Sequence, residues 1–179
     1  MKAVLDACVL YPSVLREIII GCAARGVFSP LWSARILAEW QRAADRLGPE
    51  GAAIAAGEIA RLRANWPNAE IAADPDLEAR LWLPDPSDRH VLAAAISGAA
   101  QCIVTLNLRD FPARALAPET VTAQGPDDFL MARWLETPAA VEAAVQMAQS
   151  TTEAASGRAQ PLRPLLKRAK LPRLGKALG

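Results

Sequence analysis

SDRHVLAAAISGAAQCIVTLNLRD, residues 87–110, places an apolar helix, a glycine stop, a β-capable run and a polar loop in direct succession. From a start at Ser87 or Asp88, Val91, Leu92, Ala95 and Ile96 recur at helical spacing until Gly98. Gln101–Thr105 then reads as a strand, and the loop after it carries Asp110. Outward from this unit the alternation continues. Lys2–Leu5 (KAVL) is a short strand that ends at Asp6. Pro12-Ser13 opens a helix with Val14, Leu15, Ile18, Ile19 and Cys22 on its apolar face, closed by Gly26, and Val27–Ser29 is a second short strand. Ser33 caps a helix to about Leu47, with Ile36, Leu37 and Trp40 inward, and another runs from about Glu50 to Trp66.

Residues 67–87 hold four of the 14 prolines and read as an irregular connection. Thr120–Ala123 is a fourth strand, Asp127–Leu135 a helix, and Thr137-Pro138 starts another. Residues 151–160 read as a flexible linker before a basic tail. Strands alternating with helices predict an α/β fold: a mostly parallel sheet of four to five short strands with helices on both faces. No internal repeat is present.

The 179 residues suit one domain with a short appendage, and 52% hydrophobic against 22% charged residues is a globular composition. The net charge of +1 is unevenly spread. Arg158, Arg163, Lys167, Arg168, Lys170, Arg173 and Lys176 face no acid from residue 158 onward; without these seven, 13 basic and 19 acidic residues remain, a net of −6. An acidic body with a basic tail suits handling of a polyanion at a cation-loaded site better than binding of a small neutral molecule. Three cysteines, Cys8, Cys22 and Cys102, form no CxxC pair, which argues against a disulfide framework or zinc site and for a reducing compartment. Asp6 interrupts the first apolar run, so no signal peptide is expected, and Ile18-Ile19-Ile20 with its neighbours is too short to cross a bilayer. The expected location is the cytoplasm, with no membrane partner.

In an open α/β sheet, ligands bind beyond the carboxyl ends of the strands. Asp6 ends the first strand, Asp110 follows the third by five residues, and Asp88 opens the helix leading to that third strand. Glu39 sits three residues after Ile36, on or near the buried stripe of its helix. Two such charges about 4 Å apart repel by roughly 4 kcal/mol at an effective dielectric near 20. Several pairs would consume most of a domain's stability of about 5–15 kcal/mol. Protons or a hard cation must neutralise such a cluster, and oxygen ligands select Mg²⁺ or Mn²⁺. His90 is the sole histidine, which excludes a histidine-rich transition-metal site.

Each acid also has an ordinary reading. Asp6 fits a strand-end turn, Glu39 a solvated helix charge, Asp88 a helix cap, and Asp110 a cap before Phe111-Pro112. Asp85 reads as a turn residue. His90 should point away from Asp88, toward the rim or surface. Cys8, with no histidine paired to it, reads as a small buried residue rather than a nucleophile. The five tryptophans read mainly as core or interface anchors, with Trp32 or Trp82 able to stack on a base.

Four segments together, VLDACVLYPS (4–13), WSARILAEW (32–40), LPDPSDRHVLAAAI (83–96) and IVTLNLRDFP (103–112), resemble the PIN-domain ribonucleases, in particular VapC-type toxins of toxin–antitoxin pairs. The resemblance covers about residues 2–136, giving a PIN-like nuclease domain over 1–136 and a C-terminal helical extension with a basic tail over 137–179. It implies that Asp6, Glu39, Asp88 and Asp110 are catalytic metal ligands, with Thr105 and Asn107 shaping the pocket. It implies Mg²⁺ or Mn²⁺ as cofactor, RNA as substrate, 5′-phosphate and 3′-hydroxyl products, a cognate antitoxin and a homodimer. Lys167, Arg168, Lys170 and Arg173 become candidate RNA contacts. The family usually carries a second acid where this chain has Ser87, which leaves a non-catalytic nucleic-acid or protein-binding module as the alternative. An aspartyl phosphotransferase lacks its second acid two residues after Asp6, and no GxGxxG or GxxxxGK[ST] follows the first strand.

Overall fold

The computed structural model describes Met1–Gly179. Its chain divides into two compact units interleaved in sequence: residues 1–11 with 29–124, and residues 12–28 with 125–179.

The first unit is built on five parallel strands, β1 (Lys2–Leu5), β2 (Ser29–Ser33), β3 (Glu70–Ile71), β4 (Cys102–Val104) and β5 (Thr122–Gln124), in the order β3-β2-β1-β4-β5. Ala3, Val4 and Leu5 in β1 and Cys102, Ile103 and Val104 in β4 are all fully buried, the continuous apolar pattern of central parallel strands. The helices of this unit are α1 (Ala7–Leu10), α3 (Ala34–Asp45), α4 (Pro49–Asn65), α5 (Pro75–Arg80), α6 (Arg89–Ser97) and α7 (Ala113–Leu116), with α2 (Ser13–Ala24) belonging to the second unit. Ser33 caps α3 as expected, its hydroxyl accepting from the Ile36 N–H at 3.2 Å. Ile36, Leu37 and Trp40 are buried.

Three expectations need correction. The second strand begins at Ser29, because the Val27 N–H is still committed to Cys22 O at 3.2 Å. Pro30 lies within β2 without loss. Its nitrogen points to the same side as that of Trp32, which bonds Ala69 O, and two-residue β3 does not extend opposite it. Residues 67–87 are not wholly irregular: β3 lies there, and Asp74 caps α5 by accepting from the Leu77 N–H at 2.9 Å. The proline after Asp74 opens that helix rather than breaking the chain.

The second unit holds α2 (Ser13–Ala24), α8 (Pro126–Glu136), α9 (Pro138–Ser156), α10 (Leu162–Arg168) and α11 (Pro172–Leu178). Gly21 brings α2 close to Ala144 of α9, where an added Cβ would stand 3.2 Å from the alanine Cβ. The expected linker over 151–160 is also corrected, since α9 continues to Ser156. Thr151 and Thr152 donate back to Met147 O and Ala148 O at 3.0 and 2.8 Å, and left-handed Gly157 ends the helix. The basic tail is folded as well. Asp127 accepts from the backbone N–H groups of Arg173 and Leu174 at 2.8 and 3.0 Å, capping α11. No helix of the chain is long and apolar enough to cross a membrane.

Gly98 ends α6 where a Cβ would meet Leu31 Cδ1 at 2.7 Å, Ala94 O at 3.1 Å and Ile71 Cγ1 at 3.1 Å. Gly98→Ala is expected to cost about 1 kcal/mol net, after the roughly 0.5–1 kcal/mol returned through the unfolded chain. Thermal denaturation should show a melting temperature lower by about 2–4 °C; an unchanged or higher value contradicts the packing.

Candidate metal centre

The site lies in the first unit, at the carboxyl ends of β1 and β4. Asp6 follows β1 directly and is buried. Its backbone N–H extends the β1–β4 pairing by donating to Val104 O at 3.1 Å. Its side chain caps α1, with Oδ1 accepting from the Ala7 N–H at 2.6 Å. Oδ2 accepts from the Thr105 hydroxyl at 2.6 Å and from the Cys8 thiol at 3.1 Å. Thr105 is 0% exposed, and its oxygen in turn accepts from the Asn107 N–H at 3.0 Å. Asn107 therefore contributes backbone to the site, while its side chain is exposed.

Cys8 Sγ also accepts from the Leu106 N–H at 3.2 Å. Burial, and then the Asp6 charge, push its thiol up to about 12. It stays protonated at neutral pH and is no nucleophile.

Asp88 ends a single tight turn, Pro86–Asp88, that leads into α6. Its carboxylate makes no capping bond, so the cap reading fails. Asp85 is the turn residue instead, accepting from the Ser87 N–H at 2.8 Å and the Ser87 hydroxyl at 2.7 Å, bonds that hold its carboxyl below the usual range. Half-buried Asp88 is pushed up to about 6, first by desolvation and then by the negative charges of Asp6, Asp85, Asp110 and Glu39. Asp110 closes the short turn Leu108–Asp110 and caps nothing, since Pro112 precedes α7. Its one cationic neighbour, Arg109, lies 3.9 Å away with the side chain 90% exposed, a contact of little weight.

Glu39 projects from α3 toward α6. His90 Nε2 approaches Glu39 Oε1 to 2.9 Å, while Arg42 and Arg35 stand at 3.6 and 3.8 Å. This is a close polar contact between the imidazole and the carboxylate, and it leaves His90 Nδ1 without a hydrogen-bond partner. His90 is 6% exposed, which corrects its expected place at the rim or surface. The reason is that α6 is buried from His90 through Ala95, almost all the way round, so the direction away from Asp88 also leads inward. Arg35 reaches further, to Glu78 Oε1 at 2.9 Å and Ser87 O at 3.2 Å.

Asp6, Glu39 and Asp110 thus all lie near enough to Asp88 to resist its ionisation. No three histidine, cysteine, aspartate or glutamate side chains converge to metal-ligating separations. The donor set nonetheless suits a hard cation: the four groups are carboxylates, and the only neighbouring thiol is protonated. Sequence reading missed the roles of Cys8, His90, Arg35 and Arg42 as neighbours of the acids. The helical spacing of Arg35, Glu39 and Arg42 was a usable signal for the two arginines. The candidate RNA contacts lie in the second unit. Arg168 donates to Gln160 Oε1 at 2.7 Å, Arg173 pairs with Asp128, and Lys167 and Lys170 are exposed.

Comparison with known proteins gives a family match to the PIN domain over residues 2–109, ending one residue before Asp110. A Mycobacterium tuberculosis protein with the provisional name ribonuclease VapC50 is 57% identical over 44 residues, 25% of this chain. The matched stretch spans about a quarter of that relative's length, 26%. No solved structure matches the chain.

Thr105→Val keeps the side-chain shape but removes the hydroxyl between Asp6 and the Asn107 N–H. It is expected to lower stability in urea titration by about 1–3 kcal/mol, whereas no loss would show that the hydroxyl holds neither group. Asp88 gives the opposite sign. Its carboxyl, pushed up to about 6 in the folded chain against 3.8 for the free side chain, holds the proton more tightly when folded. This contribution is fully present below the unfolded value and is lost as pH rises through the folded one. Without metal, the melting temperature should fall between pH 5 and pH 7 in the parent, and much less in Asp88→Asn. At pH 7 Asp88→Asn should melt higher, by about 1 kcal/mol at most after solvent screening; a clear drop contradicts the crowding.

Proposed function

The chain belongs to the PIN-domain family, and on that premise we propose that it is a metal-dependent endoribonuclease that hydrolyses RNA phosphodiester bonds. The observation that carries the reading is the Asp88 carboxyl, pushed up to about 6 first by its burial and then by the charges of Asp6, Asp85, Asp110 and Glu39. Enzymes place such mutually repelling carboxylates where a cation or a proton is needed for the reaction. Asp6, Glu39, Asp88 and Asp110 are the residues that would hold Mg²⁺ or Mn²⁺. The bound ion would supply Lewis-acid stabilisation of the phosphoryl charge and a water of lowered pKa.

The chain's own groups set the conditions for that chemistry. The Ala7 N–H and the Thr105 hydroxyl fix both Asp6 oxygens in orientation, so this carboxylate needs little reorganisation on loading. Asp88 gives up its proton above about pH 6, so the full negative charge of the site develops only near neutrality. Arg35 and Arg42 stand 3.8 and 3.6 Å from Glu39 Oε1, which also lies 2.9 Å from His90 Nε2. The protonated Cys8 thiol removes a covalent route through sulfur. Lys167, Arg168, Lys170 and Arg173 are proposed to contact RNA phosphates. The two exposed lysines are the freer pair, since Arg168 and Arg173 already have protein partners.

The VapC name of the Mycobacterium tuberculosis relative supports a finer reading as the toxin of a toxin–antitoxin pair, acting in the cytoplasm as a homodimer and held by a cognate antitoxin. A second reading, a non-catalytic binding module, is favoured by one observation. Ser87 replaces an acid, and its hydroxyl is turned to Asp85, leaving a neutral group where a further ligand would stand.

Cleavage of a labelled single-stranded RNA with Mg²⁺ or Mn²⁺ separates the two. Asp6→Asn should reduce cleavage by more than about a hundredfold while the folded protein remains. Full activity in Asp6→Asn overturns the assignment of the site, and a wild-type protein that cleaves nothing in either metal favours the binding module.

A further inference from the structure

Trp32 and Trp40 are buried, and Trp134 spends its indole N–H on Glu142 at 2.9 Å. Trp82 is different: it is 55% exposed, on the loop after α5. Its neighbours Leu81 and Leu83 are both buried, so the backbone beneath the indole is anchored while the ring stays outside. The Arg114 guanidinium, from α7, lies 5.7 Å from the centre of that ring. Arg114 is exposed and pairs with no carboxylate, although acids are plentiful in this unit. The guanidinium covers one face of the indole in a cation–π contact of modest strength at an exposed site, yet more than half of the residue stays open to solvent, and both groups sit on the segments that carry the acids. Trp82 precedes Asp88 by six residues and Arg114 follows Asp110 by four, so chain length alone keeps them within about 20 Å and about 14 Å of those carboxylates.

We propose that Trp82 and Arg114 form a nucleotide subsite for single-stranded RNA, the base stacked on the indole and the phosphate held by the guanidinium. The proposal rests on the nuclease reading and adds to it where the strand is gripped. Chemistry favours this occupant. Every base offers a π face to an exposed indole, and arginine gives phosphate a planar two-pronged donor. The four carboxylates repel a polyanion, so a strand that reaches them needs a cation close by that those carboxylates do not neutralise. The base must be unpaired, because the face that stacks on Trp82 is covered in a duplex.

The test uses the full chain carrying Asp6→Asn, so that RNA is bound and not cut. Fluorescence anisotropy with a labelled mixed-sequence single-stranded RNA is compared with and without Trp82→Ala, Trp82→Phe and Arg114→Ala. Trp82→Ala should weaken binding about tenfold, and Trp82→Phe should restore most of it, because a ring rather than a fold is required. Arg114→Ala should also weaken binding and reduce the slope of log affinity against log salt by about 0.7, the loss of one phosphate contact. Duplex RNA should be insensitive to Trp82. If the Asp6→Asn protein binds RNA and neither Trp82→Ala nor Arg114→Ala changes it, the subsite is overturned and the exposed pair is left to a protein partner. The nuclease reading then stands or falls separately, on cleavage by the wild type. Failure of the Asp6→Asn protein to bind single-stranded RNA at all also overturns the subsite.

Discussion

The Thr105 hydroxyl donates to Asp6 Oδ2 at 2.6 Å, and the Asp6 N–H reaches Val104 O at 3.1 Å. These two bonds tie the ends of neighbouring strands together and settle where the first carboxylate can be. A buried carboxylate is tolerated only when its oxygens are bonded. The Ala7 N–H, the Cys8 thiol and the Thr105 hydroxyl supply those bonds, and all three come from the chain turning directly at the strand ends. Parallel strands place those turns at one edge of the sheet, which is why residues 99 apart in sequence meet there. Of the other acids, Asp88 lies near enough to Asp6 to feel its charge. Asp88 registers their presence most clearly, since its proton is held first by burial and then by charges from Asp6, from Asp85 in its own turn, and from Asp110 and Glu39.

Repulsion of this kind is tolerable because the groups are unequally compensated. Asp6 is bonded on both oxygens, Glu39 has two arginines and a histidine edge within 4 Å, and Asp85 is satisfied by Ser87. Asp88 has no capping bond, and its burial, then the neighbouring charges, keep it protonated to higher pH. The result is a cluster whose negative charge is complete only near neutrality. His90 belongs to this balance through its Nε2, 2.9 Å from Glu39 Oε1.

Much of this was legible in the residues, and the failures have physical causes. The strand at 102–104 and the helix before it could be read because apolar spacing and Gly98 agree. Ser33 as a cap was readable from its side chain and the stripe after it. Strand β3 was not, since two residues carry no alternation to detect. Thr151 and Thr152 suggested a linker because hydroxyl residues compete with helix hydrogen bonds, yet here each bonds one turn back and stays helical. At the site, Asp6 was readable from its place at a strand end. Asp88 was not separable from an ordinary cap until the structure showed its carboxylate unbonded, with Asp85 holding the turn. His90 was misplaced because a helix buried on nearly all sides gives no polar face by which to orient it.

The central claim, as proposed above, is that the acids neighbouring Asp88 form a site that takes up a divalent ion. Calorimetric titration of the metal-free protein with Mn²⁺ at pH 5.5 and pH 7.5 addresses it most directly. The account predicts binding that is tighter at pH 7.5, because Asp88 must shed its proton, and that is lost in Asp6→Asn. Absence of binding at pH 7.5, or binding indifferent to Asp6→Asn, would contradict it.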